Sequence, residues 1–324
     1  MKAVLCKSFG PPSALVVEEV AALEPGDGQV VVAVKACGVN FPDTLMIQGK
    51  YQFKPDFPFS PGGEVAGTVM RLGPGTKRFK VGDRVIASVG WGGFAQEVLA
   101  KEERIIPIPP GMDFIPASAF LLTYGTSLHA LKDRAHLSEG ETLLVLGAAG
   151  GVGIAAIEIG KAMGAKVIAC ASSQEKLDLC REHGADETIN YTTENLRDRV
   201  RALTKDKGVD VVYDAVGGPY SEPALRSIAW EGRFLVVGFA AGDIPRIPLN
   251  LPLLKSCSVV GVFWGAFLQR DQATTAAHLS DLVTLYASGK VHPHISATYP
   301  LERAGEALQA MMERRVKGKI VITP

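Results

Sequence analysis

The sequence predicts an α/β protein made of a part rich in short strands and a doubly wound parallel sheet. Up to about residue 110, short apolar runs alternate with glycine turns, a pattern typical of a β-barrel or sandwich. From about residue 118, strands alternate with helical segments, which is typical of a parallel sheet covered by helices on both faces. At 324 residues the chain is long enough for two domains.

The first part is predicted to contain several short strands separated by turns. The predicted strands are residues 3–6, 15–20, 30–39, 65–72, 84–88, 94–100 and 105–108. A stretch rich in proline and glycine at residues 107–111 then ends the pattern and indicates a connection to the second part.

The second part is predicted to begin with a strand at residues 142–146, followed by a glycine-rich turn and an amphipathic helix. One face of this helix carries Val152, Ala155, Ala156, Ile159 and Met163, at the spacing of an α-helix. Further strands are predicted at residues 166–171, 187–190, 209–213, 232–237 and 258–262. Six strands in two halves are typical of a dinucleotide-binding domain. A last strand is predicted at residues 319–323.

Composition and charge exclude several classes of protein. The 34 basic and 34 acidic residues balance, so the chain lacks the basic excess of a nucleic-acid-binding protein. Its longest apolar stretch, residues 259–267, is shorter than the ~20 residues of a transmembrane helix. The first residues lack a signal-peptide segment, and the five cysteines are scattered and odd in number, as in reduced proteins of the cytosol. We therefore expect a cytoplasmic protein without nucleic-acid or membrane partners.

The glycine-rich turn after the strand at 142–146 has the sequence GAAGGVG (residues 147–153). Gly150 would let the backbone approach a pyrophosphate, and Gly153 would let the helix pack closely on the strand. The helix N-terminus would offer free N–H groups to the anion. A turn that binds nothing is the alternative, but the strand before it and the helix after it favour a dinucleotide site. The expected contacts come from Ala149, Gly150, Gly151 and Val152.

The end of the second strand of this sheet distinguishes the two nicotinamide dinucleotides. An NAD-binding protein places an acidic side chain there, whereas in this chain Glu175 comes only after the turn. Ser172 and Lys176 could instead donate hydrogen bonds and positive charge to a 2′-phosphate. A lysine exposed on the next helix is the alternative. The residues favour NADPH over NADH.

Several motifs along the chain resemble those of one family. They are residues 36–43 (ACGVNFPD), 58–64 (PFSPGGE), 81–85 (VGDRV), 147–153 (GAAGGVG), 214–218 (DAVGG) and 318–319 (GK). With these motifs in this order, the chain resembles the zinc-independent, zeta-crystallin-like quinone oxidoreductases of the medium-chain dehydrogenase/reductase superfamily. The resemblance implies a GroES-like β-barrel catalytic domain formed by residues 1–118 and 286–324. A six-stranded Rossmann domain, residues 119–285, is inserted between the two segments.

The resemblance also implies a metal-free protein. Zinc-dependent relatives have a ligand cysteine where this chain has Asn40, and a ligand histidine where it has Gly63. Their four-cysteine structural lobe is missing as well, because no cysteine lies between Cys37 and Cys170. Without a Lewis acid, the expected reaction is hydride transfer to an acceptor that is already electrophilic, such as a quinone or an α,β-unsaturated carbonyl.

The resemblance assigns catalytic roles to two side chains. Asn40 matches a polar residue near the nicotinamide ribose and the acceptor, where an amide could hydrogen-bond a developing oxyanion; an asparagine that caps a turn is the alternative. Tyr51 matches a tyrosine that could donate a proton or stack on a quinone ring; an ordinary half-buried aromatic residue is the alternative. Some relatives have a second tyrosine where this chain has Leu45. Its absence here weakens the case for a required proton donor from the protein, and a quinone can take its protons from water. Asp43 matches a family aspartate, but it could simply hold the local backbone.

Further cofactor contacts are implied by the resemblance. Thr126 matches a position near the nicotinamide, and Tyr191 matches one beside the adenosine phosphate. Arg314 and Lys319 align approximately with a basic residue that reaches the cofactor. Residues after the fourth, fifth and sixth strands stand where doubly wound sheets bind ligands; they are Val216, Phe239, Ala240, Phe263 and Gly265. The alternatives are a small helix residue at 126, hydrophobic core after the strands, and plain surface charge at 314 and 319.

The sequence therefore predicts an NADPH-dependent, zinc-independent quinone oxidoreductase. The resemblance also implies a homodimer in which the sixth Rossmann strand pairs with its copy in a second chain. One alternative is an NADPH-dependent reductase of enones or enoyl-CoA, which needs the same hydride and no metal. Another is a non-catalytic NADPH-binding protein with a structural or redox-sensing role, which would bind NADPH without turnover.

Overall fold

A computed structural model describes residues 1–324 of the protein and divides the chain into two units. The first unit contains Met1–Leu122 and Pro293–Pro324, and the second contains Thr123–His292. The predicted domain boundaries, 118/119 and 285/286, lie a few residues before the boundaries of these units, 122/123 and 292/293. The helix Leu121–Leu128 runs across the first boundary, and no turn in the sequence separates the units there.

The strands are, in chain order, β1 (Lys2–Leu5), β2 (Val16–Glu19), β3 (Gln29–Gly38), β4 (Glu64–Leu72), β5 (Arg84–Ser88), β6 (Glu97–Lys101), β7 (Ile105–Pro107), β8 (Thr142–Leu146), β9 (Lys166–Ala171), β10 (Glu187–Asn190), β11 (Val209–Asp214), β12 (Ile228–Val236), β13 (Ser258–Gly261), β14 (Ile295–Pro300) and β15 (Lys319–Thr323). The helices are α1 (Phe41–Met46), α2 (Phe114–Ala117), α3 (Leu121–Leu128), α4 (Gly151–Ala162), α5 (Gln174–Glu182), α6 (Leu196–Thr204), α7 (Ser221–Arg226), α8 (Asn250–Lys255), α9 (Trp264–Arg270), α10 (Gln272–Ala287) and α11 (Ala304–Met312). None of the helices combines the length and the hydropathy that crossing a membrane requires.

The first unit is built on a seven-stranded sheet with the order β14-β15-β3-β4-β5-β7, in which β6 also pairs with β3. Its core is formed by side chains of β3 and its neighbours, such as Val30, Val32 and Val65, which are fully buried. The strand predicted at residues 94–100 begins only at Glu97, because Ala95 bridges to Ala3 instead. Strand β14 was not predicted; it pairs only with β15 at the end of the sheet, and its side chains are at most half-buried.

The second unit is a six-stranded sheet with the order β10-β9-β8-β11-β12-β13, and all its pairings are parallel. This is the order of a doubly wound dinucleotide-binding sheet, with the reversal of strand order between β8 and β11. The predicted fold class is therefore confirmed. Strand β12 begins at Ile228, earlier than predicted, since its pairing with β11 continues past a shift in register after Val209.

Helix α4 packs directly behind the glycine-rich turn. It is buried on nearly all sides from Gly153 to Gly160, and not on one face only, as its pattern predicts. Even Glu158 is buried, because it accepts hydrogen bonds from the Tyr124 hydroxyl and from the main-chain N–H of His292. These contacts fix the helix, and with it the turn that precedes it.

Candidate functional site

The glycine-rich turn has the geometry of an anion-binding turn. Gly150 occupies the N-cap of α4 with extended backbone angles. The N–H groups of Gly151 and Val152 have no hydrogen-bond acceptor within the protein, as expected for the first turn of a helix. A Cβ atom at Gly153 would lie 2.4 Å from the carbonyl oxygen of Gly147, so this close approach requires glycine. The turn fits the pyrophosphate of a dinucleotide.

The structure brings most of the predicted cofactor-binding residues to one edge of the second-unit sheet. Because all six strands are parallel, the segments that leave their carboxyl ends begin at the same edge. These residues are Ala149 to Val152 after β8, Ser172 after β9, Tyr191 after β10, Val216 after β11, Phe239 and Ala240 after β12, and Phe263 and Gly265 after β13. Val216 is buried beside the glycine-rich turn, where a Cβ at Gly147 would lie 2.7 Å from its side chain.

Ser172, Lys176 and Tyr191 surround the end of β9. The Lys176 ammonium lies 3.5 Å from the Ser172 hydroxyl. The main-chain N–H of Tyr191 donates to the carbonyl of Ala171, which precedes Ser172. The ring of Tyr191 lies 4.2 Å from the ring of Tyr220. Tyr220 was missed by the sequence analysis; an aromatic residue shortly after the fourth strand was the available signal.

Two further side chains that the sequence analysis did not select organise this edge. The buried Asp214 carboxylate accepts hydrogen bonds from the main-chain N–H groups of Val216 and Gly217, each at 2.8 Å. Ser127 donates to the carbonyl of Val152 at 2.9 Å. It is the neighbour of the half-buried Thr126 on α3. The signal for Asp214 was its place between an apolar strand and two glycines.

In the first unit, Asn40 is part of a buried polar cluster. Its side-chain oxygen accepts a hydrogen bond from the Lys319 ammonium at 2.5 Å, and its NH2 group donates to the carbonyl of Gly38 at 3.2 Å. Lys319 also donates to the carbonyl of Val39 at 2.6 Å. The side chains of Asn40 and Lys319 are buried, so the surface-charge alternative for Lys319 is wrong. Arg314, in contrast, lies in an exposed turn with a positive φ of 57°.

Asp43 and Glu64 place two carboxyl groups in the same cluster. Asp43 accepts hydrogen bonds from the main-chain N–H groups of Asn40 and Gly62, at 2.7 and 3.2 Å, and so holds the backbone around Asn40. Glu64 accepts one from the N–H of Leu122 at 2.9 Å, and its other oxygen is buried without a hydrogen bond. Burial raises the pKa of Asp43 to about 6 and that of Glu64 to about 7, although the Lys319 charge opposes both shifts.

Glu64 is the last residue of the motif at 58–64, but it was not predicted as a site residue. The signal was its place between two glycines and an apolar strand, where a charged side chain is buried only if it has partners. Tyr51 follows α1 and is half-buried against the core of the first unit. Burial raises the pKa of Tyr51, and the charge of Asp43 raises it further, so its hydroxyl keeps its proton at neutral pH. No group of three or more His, Cys, Asp and Glu side chains is arranged to hold a metal ion.

Comparison with known proteins places the two units in known families. Residues 26–110 match the alcohol dehydrogenase GroES-like domain family, and residues 151–281 match the zinc-binding dehydrogenase family. The chain is 42% identical to quinone oxidoreductase-like protein 2 homolog of Nematostella vectensis over 99% of this chain and 88% of that protein. It is 34% identical to quinone oxidoreductase of Rattus norvegicus, over 99% and 97% of the two chains. The solved structure of Escherichia coli quinone oxidoreductase complexed with NADPH matches with a TM-score of 0.94, 28% identity and full coverage of both chains.

A GroES-like unit joined to a six-stranded dinucleotide-binding sheet defines an oxidoreductase of the medium-chain dehydrogenase/reductase superfamily that uses a nicotinamide cofactor. Within that superfamily the chain belongs to the quinone oxidoreductase family. The predicted family and the predicted enzymatic nature are thus confirmed, and the substrate is a small molecule.

Proposed function

We propose that the protein is an NADPH-dependent, zinc-free quinone oxidoreductase. The observation that carries the proposal is the chemistry of the residues at the ligand positions of zinc-dependent relatives. At the position of the ligand cysteine, Asn40 is hydrogen-bonded to the Lys319 ammonium. At the position of the ligand histidine, Gly63 has no side chain. An amide held by a cation is a poor metal ligand, so the acceptor has to be electrophilic without help from a metal.

The residues at the end of β9 support NADPH as the cofactor. Lys176 and Ser172 lie 3.5 Å apart, so that together they offer a positive charge and a hydroxyl to a 2′-phosphate. No carboxylate occupies the end of the strand. NADPH as the cofactor is consistent with the solved structure of Escherichia coli quinone oxidoreductase, which is complexed with NADPH.

When bound, NADPH supplies the hydride for the reaction. The turn at Ala149–Val152, together with Thr126, Val216, Phe239, Ala240, Phe263 and Gly265, would bind and orient it. In the first unit, Asn40 and Tyr51 would face the acceptor. The Tyr51 hydroxyl keeps its proton at neutral pH and can donate a hydrogen bond to an acceptor oxygen; a quinone can also take its protons from water.

The test is the rate of NADPH oxidation by the purified protein, measured in parallel with one simple quinone and one simple enone. Turnover with the quinone and little with the enone supports the proposal. The reverse result would make the protein an alkene reductase. Tight NADPH binding without turnover on either acceptor would favour the non-catalytic alternative.

Tyr51 separates the quinone reaction from the enone reaction. Reduction of an enone requires a proton on carbon, whereas the oxygens of a reduced quinone are protonated by water. We expect Tyr51→Phe to leave quinone turnover within a few-fold of the parent rate. Enone turnover, if the parent has any, should fall by about 10²-fold or more, the usual effect of losing a general acid.

We further propose that the protein is a homodimer formed through β13. This strand is the last of the second-unit sheet, so one of its edges is unpaired. Large apolar side chains nearby are exposed; they are Trp230, Leu249, Leu253, Leu254 and Val259. Unpaired strand edges and exposed apolar patches of this kind are typical of protein interfaces.

A further inference from the structure

We propose that Lys319 is a positioning residue that holds the Asn40 amide in a single orientation. In that orientation the carbonyl oxygen faces the ammonium, and the NH2 group faces the main chain of Gly38. The geometry carries this inference, because the two bonds that fix the amide, at 2.5 and 3.2 Å, need opposite ends of the same group.

Hydrogen-bonding chemistry excludes the flipped amide. An ammonium is only a donor and a main-chain carbonyl is only an acceptor. A flipped Asn40 would turn its NH2 group toward the Lys319 ammonium and its oxygen toward the Gly38 carbonyl, which would lose both hydrogen bonds. In a buried cluster, each unsatisfied polar group is costly, so the amide has one orientation as long as the ammonium is present.

The fold places the ammonium at this point through β15. Strand β15 pairs with β3 directly before Asn40, with Val321 opposite Gly38. Gly318 enters the strand with a φ of 59°, where a Cβ atom would lie 2.3 Å from the carbonyl oxygen of His294. Glycine at 318 therefore lets Lys319 enter the sheet in the position from which it reaches Asn40.

Charge balance supports the same arrangement. Lys319 is only 4% exposed and forms no direct ion pair, and the buried carboxyl groups of Asp43 and Glu64 are the charges that act on it. The Asn40 amide also lowers the pKa of Glu64. The carbonyl end of the Asn40 dipole thus points toward the Lys319 ammonium, which is its favourable direction.

The fixed orientation defines what Asn40 can offer to a bound molecule. One N–H of its NH2 group donates to the Gly38 carbonyl and its oxygen accepts from the Lys319 ammonium, so these two bonds occupy one donor and one acceptor position of the amide. The catalytic consequence rests on the proposed function, whereas the orientation itself does not.

The orientation is tested by nuclear magnetic resonance of protein labelled with ¹⁵N only at asparagine. The chain contains four asparagines, namely Asn40, Asn190, Asn195 and Asn250, and the Asn40 signals are those lost in Asn40→Ala. We expect Lys319→Met to shift or broaden the two side-chain NH2 signals of Asn40 and to leave those of the other three asparagines unchanged. The control Lys35→Met removes an exposed lysine of β3 and should change none. An unchanged Asn40 pair in Lys319→Met would overturn the inference, even if the parent protein reduces no quinone.

A double-mutant cycle tests whether Lys319 acts through Asn40. We expect Lys319→Met and Asn40→Ala each to lower quinone turnover about tenfold or more, as misplaced site groups do. The combined variant should be no slower than the slower single variant, because both changes remove the same arrangement. Effects that multiply would mean independent roles and would overturn the positioning role.

If Lys319→Met does not fold, the unsubstituted protein still decides the question. A nuclear Overhauser contact between the Lys319 ammonium or Hε protons and the Asn40 amide protons is expected, with ammonium protons that exchange slowly with water. Absence of this contact, together with fast exchange of the ammonium protons, would overturn the inference.

Discussion

Two buried acids of the first unit bind protons more tightly in the folded protein than in the unfolded chain. Burial raises the pKa of Glu64 from 4.5 to about 7 and that of Asp43 from 3.8 to about 6. A raised carboxyl pKa contributes stability that is fully present below the unfolded pKa and is lost as pH rises through the folded pKa. For Glu64 this window runs from pH 4.5 to about 7.

Glu64→Gln should remove the part of this pH dependence that belongs to Glu64. Glutamine has the shape of the protonated acid and can still accept the hydrogen bond from Leu122. Between about pH 6 and pH 8, the free energy of unfolding of the parent should fall by about 1 kcal/mol relative to that of the variant. Urea unfolding at several pH values measures this difference. The exposed Glu103→Gln is the control, and a slope in Glu64→Gln equal to that of the control would contradict the prediction.

Lys176 makes a separate prediction about the choice of cofactor. We expect the parent to bind NADPH much more tightly than NADH, and Lys176→Ala to narrow the gap by weakening NADPH binding about tenfold. The loss of a charge-assisted hydrogen bond to the 2′-phosphate is the reason. Nicotinamide fluorescence gives both dissociation constants. Lys290→Ala, which removes an exposed lysine of the same unit, should change neither, and equal affinities in the parent would contradict the assignment.

At the scale of elements, the turn between β8 and α4 uses two glycines for different purposes. Gly153 is required by packing, because a Cβ atom there would lie 2.4 Å and 2.6 Å from two main-chain oxygens. Gly150 has ordinary backbone angles, and a Cβ atom there would meet only the Gly147 oxygen, at 3.4 Å. The protein itself can therefore tolerate a side chain at residue 150. A pyrophosphate bound as proposed would collide with that side chain.

Alanine substitutions should separate these two purposes. Gly153→Ala is expected to destabilise the protein by about 2 kcal/mol or more, the usual effect of overpacking. Gly150→Ala should leave the melting temperature near that of the parent but weaken NADPH binding about tenfold, because its methyl group stands where the backbone must approach the phosphates. Thermal unfolding and NADPH titration of both variants measure the two effects. Gly150→Ala with parental affinity would show that the cofactor does not approach that residue.

At the scale of the whole molecule, the sequence predicts what depends on local pattern and misses what depends on distant pairing. Strands β8, β9 and β11 of the second unit are apolar runs buried along nearly their whole length, so composition was enough to find them. The turn at 147–153 was found because strand, glycines and helix are adjacent in the chain. The Asn40–Lys319 bond joins residues 279 positions apart, and it depends on the pairing of β15 with β3. Strand β14 was missed because it alternates between half-buried and exposed residues at the end of a sheet.

The unpaired edge of β13 gives a prediction about assembly. A β-strand that ends a sheet can pair with its copy in a second chain, and exposed apolar side chains beside it would then be covered. Leu249 and Leu253 are 83% and 77% exposed, and Val259 on β13 itself is 47% exposed. Such exposure is unfavourable for a monomer in water, so a second copy of the chain is the proposed cover.

We expect the parent protein to have twice the chain mass of 34.4 kDa in sedimentation equilibrium, and Val259→Lys to have the mass of one chain. A lysine on an edge strand blocks pairing, because its charge would have to be buried in the interface. The control Val81→Lys places the same charge on an exposed valine of the first unit and should leave the parental mass unchanged. A dimer that persists in Val259→Lys would mean that the chains associate through another surface, and a monomeric parent would mean that the edge of β13 stays unpaired in solution.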